Sequence, residues 1–149
     1  MVKFLYVIYV KMVVNEYRLK KDLEQGDICE KRFQEYFKEN ENIEFIKFGN
    51  KYSQLDFRYK NNISELKSRN YFSNDFIDTQ IGNNKMVHAL KKQNEGYDID
   101  FYFLFKDGLF VWKYDKEIKL RTDYRYGKKW NYVPAVILKK VTDKINSIV

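Results

Sequence analysis

One cysteine, one histidine and one proline occur in 149 residues. A single cysteine, Cys29, excludes a disulfide scaffold. Cys29 and His88 together are too few for the common structural zinc sites, which take several Cys or His ligands. A Ser-His-Asp or Cys-His hydrolase would rest wholly on His88. Glycine is sparse, with six residues. No Gly-rich run ends in Lys-Ser or Lys-Thr, which excludes a Walker-type phosphate loop. Pro134 is the one proline, so few breaks are forced. No internal repeat or low-complexity linker divides the chain. No apolar run reaches the ~18–20 residues of a membrane span.

What is present is apolar surface and positive charge. Hydrophobic residues make up 44% and aromatic residues 18%, enough to offset ordering entropy and exclude a disordered chain. The length suits one domain over 1–149. With 28 Lys and Arg against 21 Asp and Glu, the net charge is +7, which favours a polyanionic partner. Only six of those cations are arginine, and Asn, Ile, Tyr and Phe are abundant. That mixture also fits the codon bias of an AT-rich genome, in which case the lysines form a solvated surface. The expectation is a reduced, intracellular domain that is not secreted. Residues 1–14 are apolar apart from Lys3 and Lys11, too short for a span and without a small-residue cleavage site. Met12 is an alternative start. An extra strand or helix packed on the core is expected for 1–14, with a weak membrane-surface anchor as the alternative.

Gly26-Asp27 reads as a helix start. Cys29, Phe33, Tyr36 and Phe37 then recur at i, i+4, i+7 and i+8, a helical stripe, which ends at 40–42. Residues 43–48 read as a strand and 49–51 as a turn. Residues 53–59 and 63–69 alternate with period two about a turn at 60–62. Residues 70–79 are irregular. Asn83 can cap a helix to about Asn94, with Met86, Val87 and Leu90 inward and Gly96 stopping it. Residues 98–105 are apolar on both faces, which predicts a central strand. Lys106-Asp107-Gly108 turns into a strand over 109–114. A basic aromatic segment follows, and Pro134 opens a last helix. A helix crossing between two strands makes them parallel, while short turns make the first three antiparallel. The expected fold class is α/β, a mixed sheet flanked by helices.

The stretch from Gln54 to Arg69 carries the chemistry. A two-residue turn at Lys60-Asn61 puts Asp56 opposite Glu65; a turn at Asn61-Asn62 puts it opposite Lys67. Either register sets Asp56, Glu65 and Lys67 on one sheet face, with Leu55, Phe57, Tyr59 and Leu66 on the other. Two carboxylates at strand spacing repel, and a hard divalent cation with oxygen ligands relieves the repulsion. A nearby lysine can orient a metal-activated water or neutralise a phosphorane-like transition state. A solvated antiparallel face with cross-strand acid–lysine pairs gives the same pattern.

Asp56 followed by Glu65-Leu66-Lys67 resembles the PD-(D/E)XK nuclease superfamily, which includes restriction endonucleases and archaeal-type Holliday junction resolvases. The resemblance spans about 26–114. It implies a helix, three strands, a helix and a strand as the core, matching the order read from periodicity. The C-terminal hairpin and helix would be additions. It further implies a Mg²⁺- or Mn²⁺-dependent DNA endonuclease, with junctions as one structure-specific substrate. Asp56, Glu65, the Leu66 carbonyl and Glu30 would serve the metal, with Glu35 the second choice on the first helix. Lys67 would position the water. Lys85 or Gln80 would fill the position near the second helix. The partners implied are DNA and a divalent metal, and many relatives cut as homodimers. Glu65 to Arg69, then Asp78 to Gly82 and Lys85, look like small nucleases of large DNA viruses and phages. Leu55 stands where many members have proline. A non-catalytic nucleic-acid-binding or assembly protein that keeps this fold is the alternative.

Residues 119–132 interleave cations and aromatics. Arg121, Arg125, Lys128 and Lys129, with Arg69 and Gln80 nearer the site, are the expected nucleic-acid contacts. The same pattern fits an edge hairpin kept soluble by lysine. Tyr71 is expected as a loop anchor or base-stacking group, His88 as a half-buried helix residue and Cys29 as an inert core residue.

Overall fold

The computed structural model describes residues 2–49 and 55–149, with the backbone alone for 2–15. Gly26 is not a helix start. Helix α1 runs unbroken over Val2–Glu41, about 60 Å at the α-helical rise. An interior glycine costs a helix only ~1 kcal/mol relative to alanine. The residues before it are mostly Lys, Glu and Leu, which propagate a helix. Asn42 ends it at φ 54°, and the Ile43 N–H returns to the Phe37 carbonyl at 3.0 Å. Tyr17, Leu19 and Leu23 are exposed, so this part of α1 does not pack on the core. The side chains of 2–15 lie outside the described residues.

Strands β1 (Ile46–Lys47), β2 (Phe57–Tyr59) and β3 (Asn62–Ser68) follow. The first is shorter than the sequence pattern predicts. The predicted turn at 49–51 and the start of the 53–59 strand fall largely outside the described residues. Next come β4 (Asp78–Gly82), helix α2 (Asn83–Asn94), β5 (Asp98–Phe105) and β6 (Gly108–Lys113). The chain closes with β7 (Arg121–Arg125), β8 (Lys128–Pro134), a 3₁₀ turn (Ala135–Ile137) and β9 (Lys139–Thr142). The main sheet has the order β1-β2-β3-β5-β6-β9. β3 and β5 are parallel and the other neighbours antiparallel, as the crossover through α2 requires. A second sheet, β4-β8-β7, is antiparallel.

The main sheet is buried on both faces. Against α1 lie Phe57, Leu66, Tyr102, Leu104 and Leu109. Phe33 of α1 contacts the Phe37, Phe45, Phe57 and Tyr102 rings at centroid distances of 4.9–5.1 Å. On the opposite face Ile63, Ile99, Phe101, Phe103 and Phe105 pack with Ala89 of α2 and with Ile81 and Val133 of the second sheet. β5 thus supplies apolar residues to both faces.

Several expectations are corrected. Strand β4 takes up the end of the stretch read as irregular and residues 80–82, for which the sequence pattern predicts no element, because its partner β8 is about fifty residues away in sequence. Leu55 packs with the α2-side cluster, apart from Phe57. In α2, Ala89 is the buried contact while Val87 and Leu90 are exposed. Asn83 does not cap it: Gly82 holds the cap position without a side-chain bond. The last helix is absent. Val136, Ile137, Val141 and Thr142 are β-branched, and β6 offers an edge that β9 fills. At the β5–β6 turn Gly108 has φ 142°, and a Cβ there would meet the Thr142 carbonyl oxygen at 2.4 Å, so the closing strand crosses only over glycine.

Candidate active site

Local turn chemistry sets the register. Lys60 adopts φ 50°, and Tyr59 pairs with Asn62 across a Lys60-Asn61 turn. Of the two registers open in the sequence, this one sets Asp56 opposite Glu65. The Asp56 N–H bonds the Ser64 carbonyl at 3.1 Å. Its Oδ2 accepts from the Leu66 N–H at 3.0 Å, which ties the carboxylate to the strand that carries Glu65.

Glu65 shares a sheet face with Ile63, toward α2. It is 1% exposed. Lys67 Nζ lies 3.2 Å and Lys85 Nζ 3.4 Å from its Oε1. Lys85 enters from the first turn of α2. Oε2 is buried and has no hydrogen-bond partner among the described residues. Burial pushes the Glu65 carboxyl up to about 7, and the Asp56 charge adds to this, while Lys67 and Lys85 oppose it. Structure therefore brings together Asp56, Glu65, Lys67 and Lys85.

Glu30 is not in this group. Its carboxylate pairs with Lys47 of β1, and that bond raises the Lys47 pKa, with smaller effects from Asp27 and Asp56. Lys47 escaped the sequence reading because only the sheet order sets β1 beside β2. Glu35 is exposed. Among the described residues no group of three or more His, Cys, Asp and Glu side chains is arranged to hold a metal ion. Asp56 and Glu65 are two, and Mg²⁺ keeps several waters with one or two carboxylates. The orphaned Oε2 is an oxygen ligand already stripped of water, so the donor set fits a hard cation.

The predicted nucleic-acid residues divide. Arg69 points inward, as a clamp between the sheets. Its Nε donates to Thr79 Oγ1 at 3.3 Å and its other nitrogens to the Ser68 and Gln80 carbonyls at 3.3 and 2.7 Å. Burial lowers its pKa, against the raising effects of Tyr71 and Glu65. Arg69 nonetheless lines a surface pocket with Tyr71, Phe76 and Trp130. Arg121 pairs with Asp78 at 3.1 Å and lies 3.9 Å over the Tyr132 ring. Arg125 pairs with Asp123 at 3.5 Å. Lys128 and Lys129 line an open hollow of about 600 Å³ with Asn83, Asn84, Tyr124 and Trp130, at the start of α2 two residues before Lys85. Gln80, with Tyr71 and Trp130, borders a separate pocket beside Arg69. His88 is half-buried, and burial with Lys92 and Lys91 lowers its pKa. Cys29 is fully buried, and burial raises its thiol pKa.

Comparison with known proteins finds no matching family model, no matching curated sequence and no matching solved structure. Among the described residues no helix is long and apolar enough to cross a membrane.

Proposed function

We propose that the protein is a metal-dependent DNA endonuclease of the PD-(D/E)XK type. The observation that carries the reading is Glu65, a buried carboxylate beside Asp56 with two lysines on one oxygen and the other oxygen unsatisfied. Further support comes from the order of elements. A helix, three strands, β4, a crossover helix and a parallel strand follow in order, with Asp56 just before β2 and Glu65 on β3, an order compatible with a restriction-endonuclease-like core. β4 and the β7–β8 hairpin would be additions to that core.

Asp56, Glu65 and the Leu66 carbonyl would hold Mg²⁺ or Mn²⁺. Bound there, the ion would lower the pKa of a water and stabilise charge on a phosphate oxygen. Lys67, one-third exposed, would orient that water and offset charge on the phosphorane-like transition state. Lys85 would orient Glu65 and oppose the rise in its pKa. Glu30 would act through Lys47, which it binds and which also feels the Asp56 charge. Lys128 and Lys129 supply backbone contacts to DNA.

The rival is a binding or assembly protein in which Lys67, Lys85 and Glu65 form a structural ion cluster. The satisfied Oε1 favours it; the unsatisfied Oε2 does not. Plasmid, linear and four-way-junction DNA are incubated with Mg²⁺, Mn²⁺ or EDTA, alongside Asp56→Asn. Metal-dependent cleavage lost in Asp56→Asn is expected. No cleavage, with no metal shift of the melting curve, would leave the rival.

A further inference from the structure

The pocket beside Arg69 is unlike the basic hollow at the start of α2. It measures about 390 Å³ and is walled by Tyr71, Phe76 and Trp130, with Arg69 and Gln80 between them. Tyr71 and Phe76 meet edge to face, centroids 4.8 Å apart at 82°. The Tyr71 hydroxyl bonds Thr79 Oγ1 at 3.1 Å. The Arg69 guanidinium is pinned by three internal acceptors, which take three of its five N–H groups. The walls are thus ordered without a ligand. Asp78 on the rim is matched by Arg121 at 3.1 Å, so its carboxylate is neutralised toward an anionic ligand.

Aromatic faces, a hydrogen-bonding amide and a fixed cation suit a planar heteroaromatic group attached to a phosphate. The volume falls within the ~300–1,000 Å³ of small-ligand sites. Arg69 lies two residues beyond Lys67, about 7 Å along an extended chain. Its guanidinium also feels the Glu65 charge. A base stacked in a duplex presents no face to such a pocket; an unpaired or extruded base does.

We propose that this pocket takes up one unpaired or extruded base of a nucleic-acid strand whose phosphate is bound at Asp56 and Glu65. The placement of that phosphate rests on the nuclease reading. The substrate class is then DNA with a bulged, mismatched or flapped nucleotide, in preference to continuous duplex.

The test is binding in EDTA, where cleavage plays no part. A duplex carrying one bulged 2-aminopurine is compared with a fully paired duplex of equal charge. About tenfold tighter binding of the bulge is expected, with the probe's fluorescence quenched on binding. Phe76→Ala and Trp130→Ala should each reduce that preference; Phe76 is 58% exposed, so its variant keeps the fold. Equal affinities, or an unchanged preference in both variants, would overturn the proposal. So would displacement of the bulged duplex by equimolar free nucleoside monophosphate, which would make the ligand a free nucleotide. Preference without Mg²⁺-dependent cleavage would keep the pocket and remove the nuclease reading. Cleavage without preference would remove the pocket alone.

Discussion

Lys85 of α2 reaches Glu65 of β3: Nζ lies 3.4 Å from Oε1, the oxygen that also holds Lys67 at 3.2 Å. Two cations on one oxygen leave Oε2 buried and unsatisfied. The carboxylate is fixed by lysines on one oxygen; burial raises its pKa, and a hydrogen bond between the Glu65 and Asp56 carboxyls adds to the rise. A buried charge met on one side only retains part of its desolvation cost, which is why the Glu65 carboxyl rises to about 7 despite two lysines.

That rise has a definite sign in stability. The folded state holds the Glu65 proton more tightly than the unfolded chain, where the ordinary value is 4.5. This contribution is whole below pH 4.5, falls as pH climbs toward 7 and is lost above it. In EDTA, Glu65→Gln should therefore gain stability over wild type as pH rises, reaching on the order of 3 kcal/mol above pH 7. Urea unfolding at pH 5 and pH 8 measures it. A Glu65→Gln difference independent of pH would show that the carboxyl is not perturbed.

Arg69 and Arg121 are both arginines predicted at the nucleic-acid surface, yet they should respond in opposite ways. Arg69→Ala leaves the Gln80 carbonyl without its Arg69 donor, while Thr79 keeps the Tyr71 hydroxyl, at a cost of about 1–3 kcal/mol. Arg121 is 59% exposed at its side chain, and Arg121→Ala should cost about 0–1 kcal/mol. Denaturation midpoints of the two variants check both. Equal losses would contradict the clamp.

The difference between those arginines explains what was legible in the sequence. Period-two alternation and the Lys60-Asn61 turn are local, so the facing of Asp56, Glu65 and Lys67 could be read directly. The apolar run of β5 announced burial on both faces, and the crossover helix implied its parallel partner. The second sheet joins residues near 80 to residues near 132, and no local pattern marks that pairing. Arg69 faces inward because of it, and Lys47 meets Glu30 because α1 crosses the sheet. The β-branched residues after Pro134 fit either a helix stripe or a strand; the open edge of β6 decided the outcome.

Lys128 and Lys129 should dominate the salt dependence of DNA binding. Arg121 and Arg125 are drawn to Asp78 and Asp123, whereas the two lysines line the hollow beside α2. For duplex DNA the log–log slope changes by about 0.9 for each phosphate that is no longer neutralised. The double variant Lys128→Ala/Lys129→Ala should therefore flatten it by up to about 1.8, and Arg121→Ala/Arg125→Ala by less. Fluorescence anisotropy across a range of salt concentrations measures the slopes. The reverse ranking would place the DNA along the outer face of the hairpin.

Lys67 separates a reaction from a structural ion cluster. It is one-third exposed, and its removal leaves Lys85 on the same oxygen, so Lys67→Ala should cost only about 1 kcal/mol of stability. An interaction made in the transition state accounts for ~10²–10³ in rate. One confounding effect has to be removed first. Losing a cation raises the Glu65 pKa further, which weakens metal binding near neutrality because the ligand must be ionised. At about pH 8.5 the wild-type carboxyl is ionised, and saturating Mg²⁺ compensates for the remaining shift in the variant. Under those conditions Lys67→Ala should show a metal-dependent melting shift close to wild type but cleave at least about a hundredfold more slowly. Cleavage restored by high pH and high Mg²⁺ alone would assign Lys67 to holding Glu65 ionised. Cleavage still lost would assign it to the water and the departing charge.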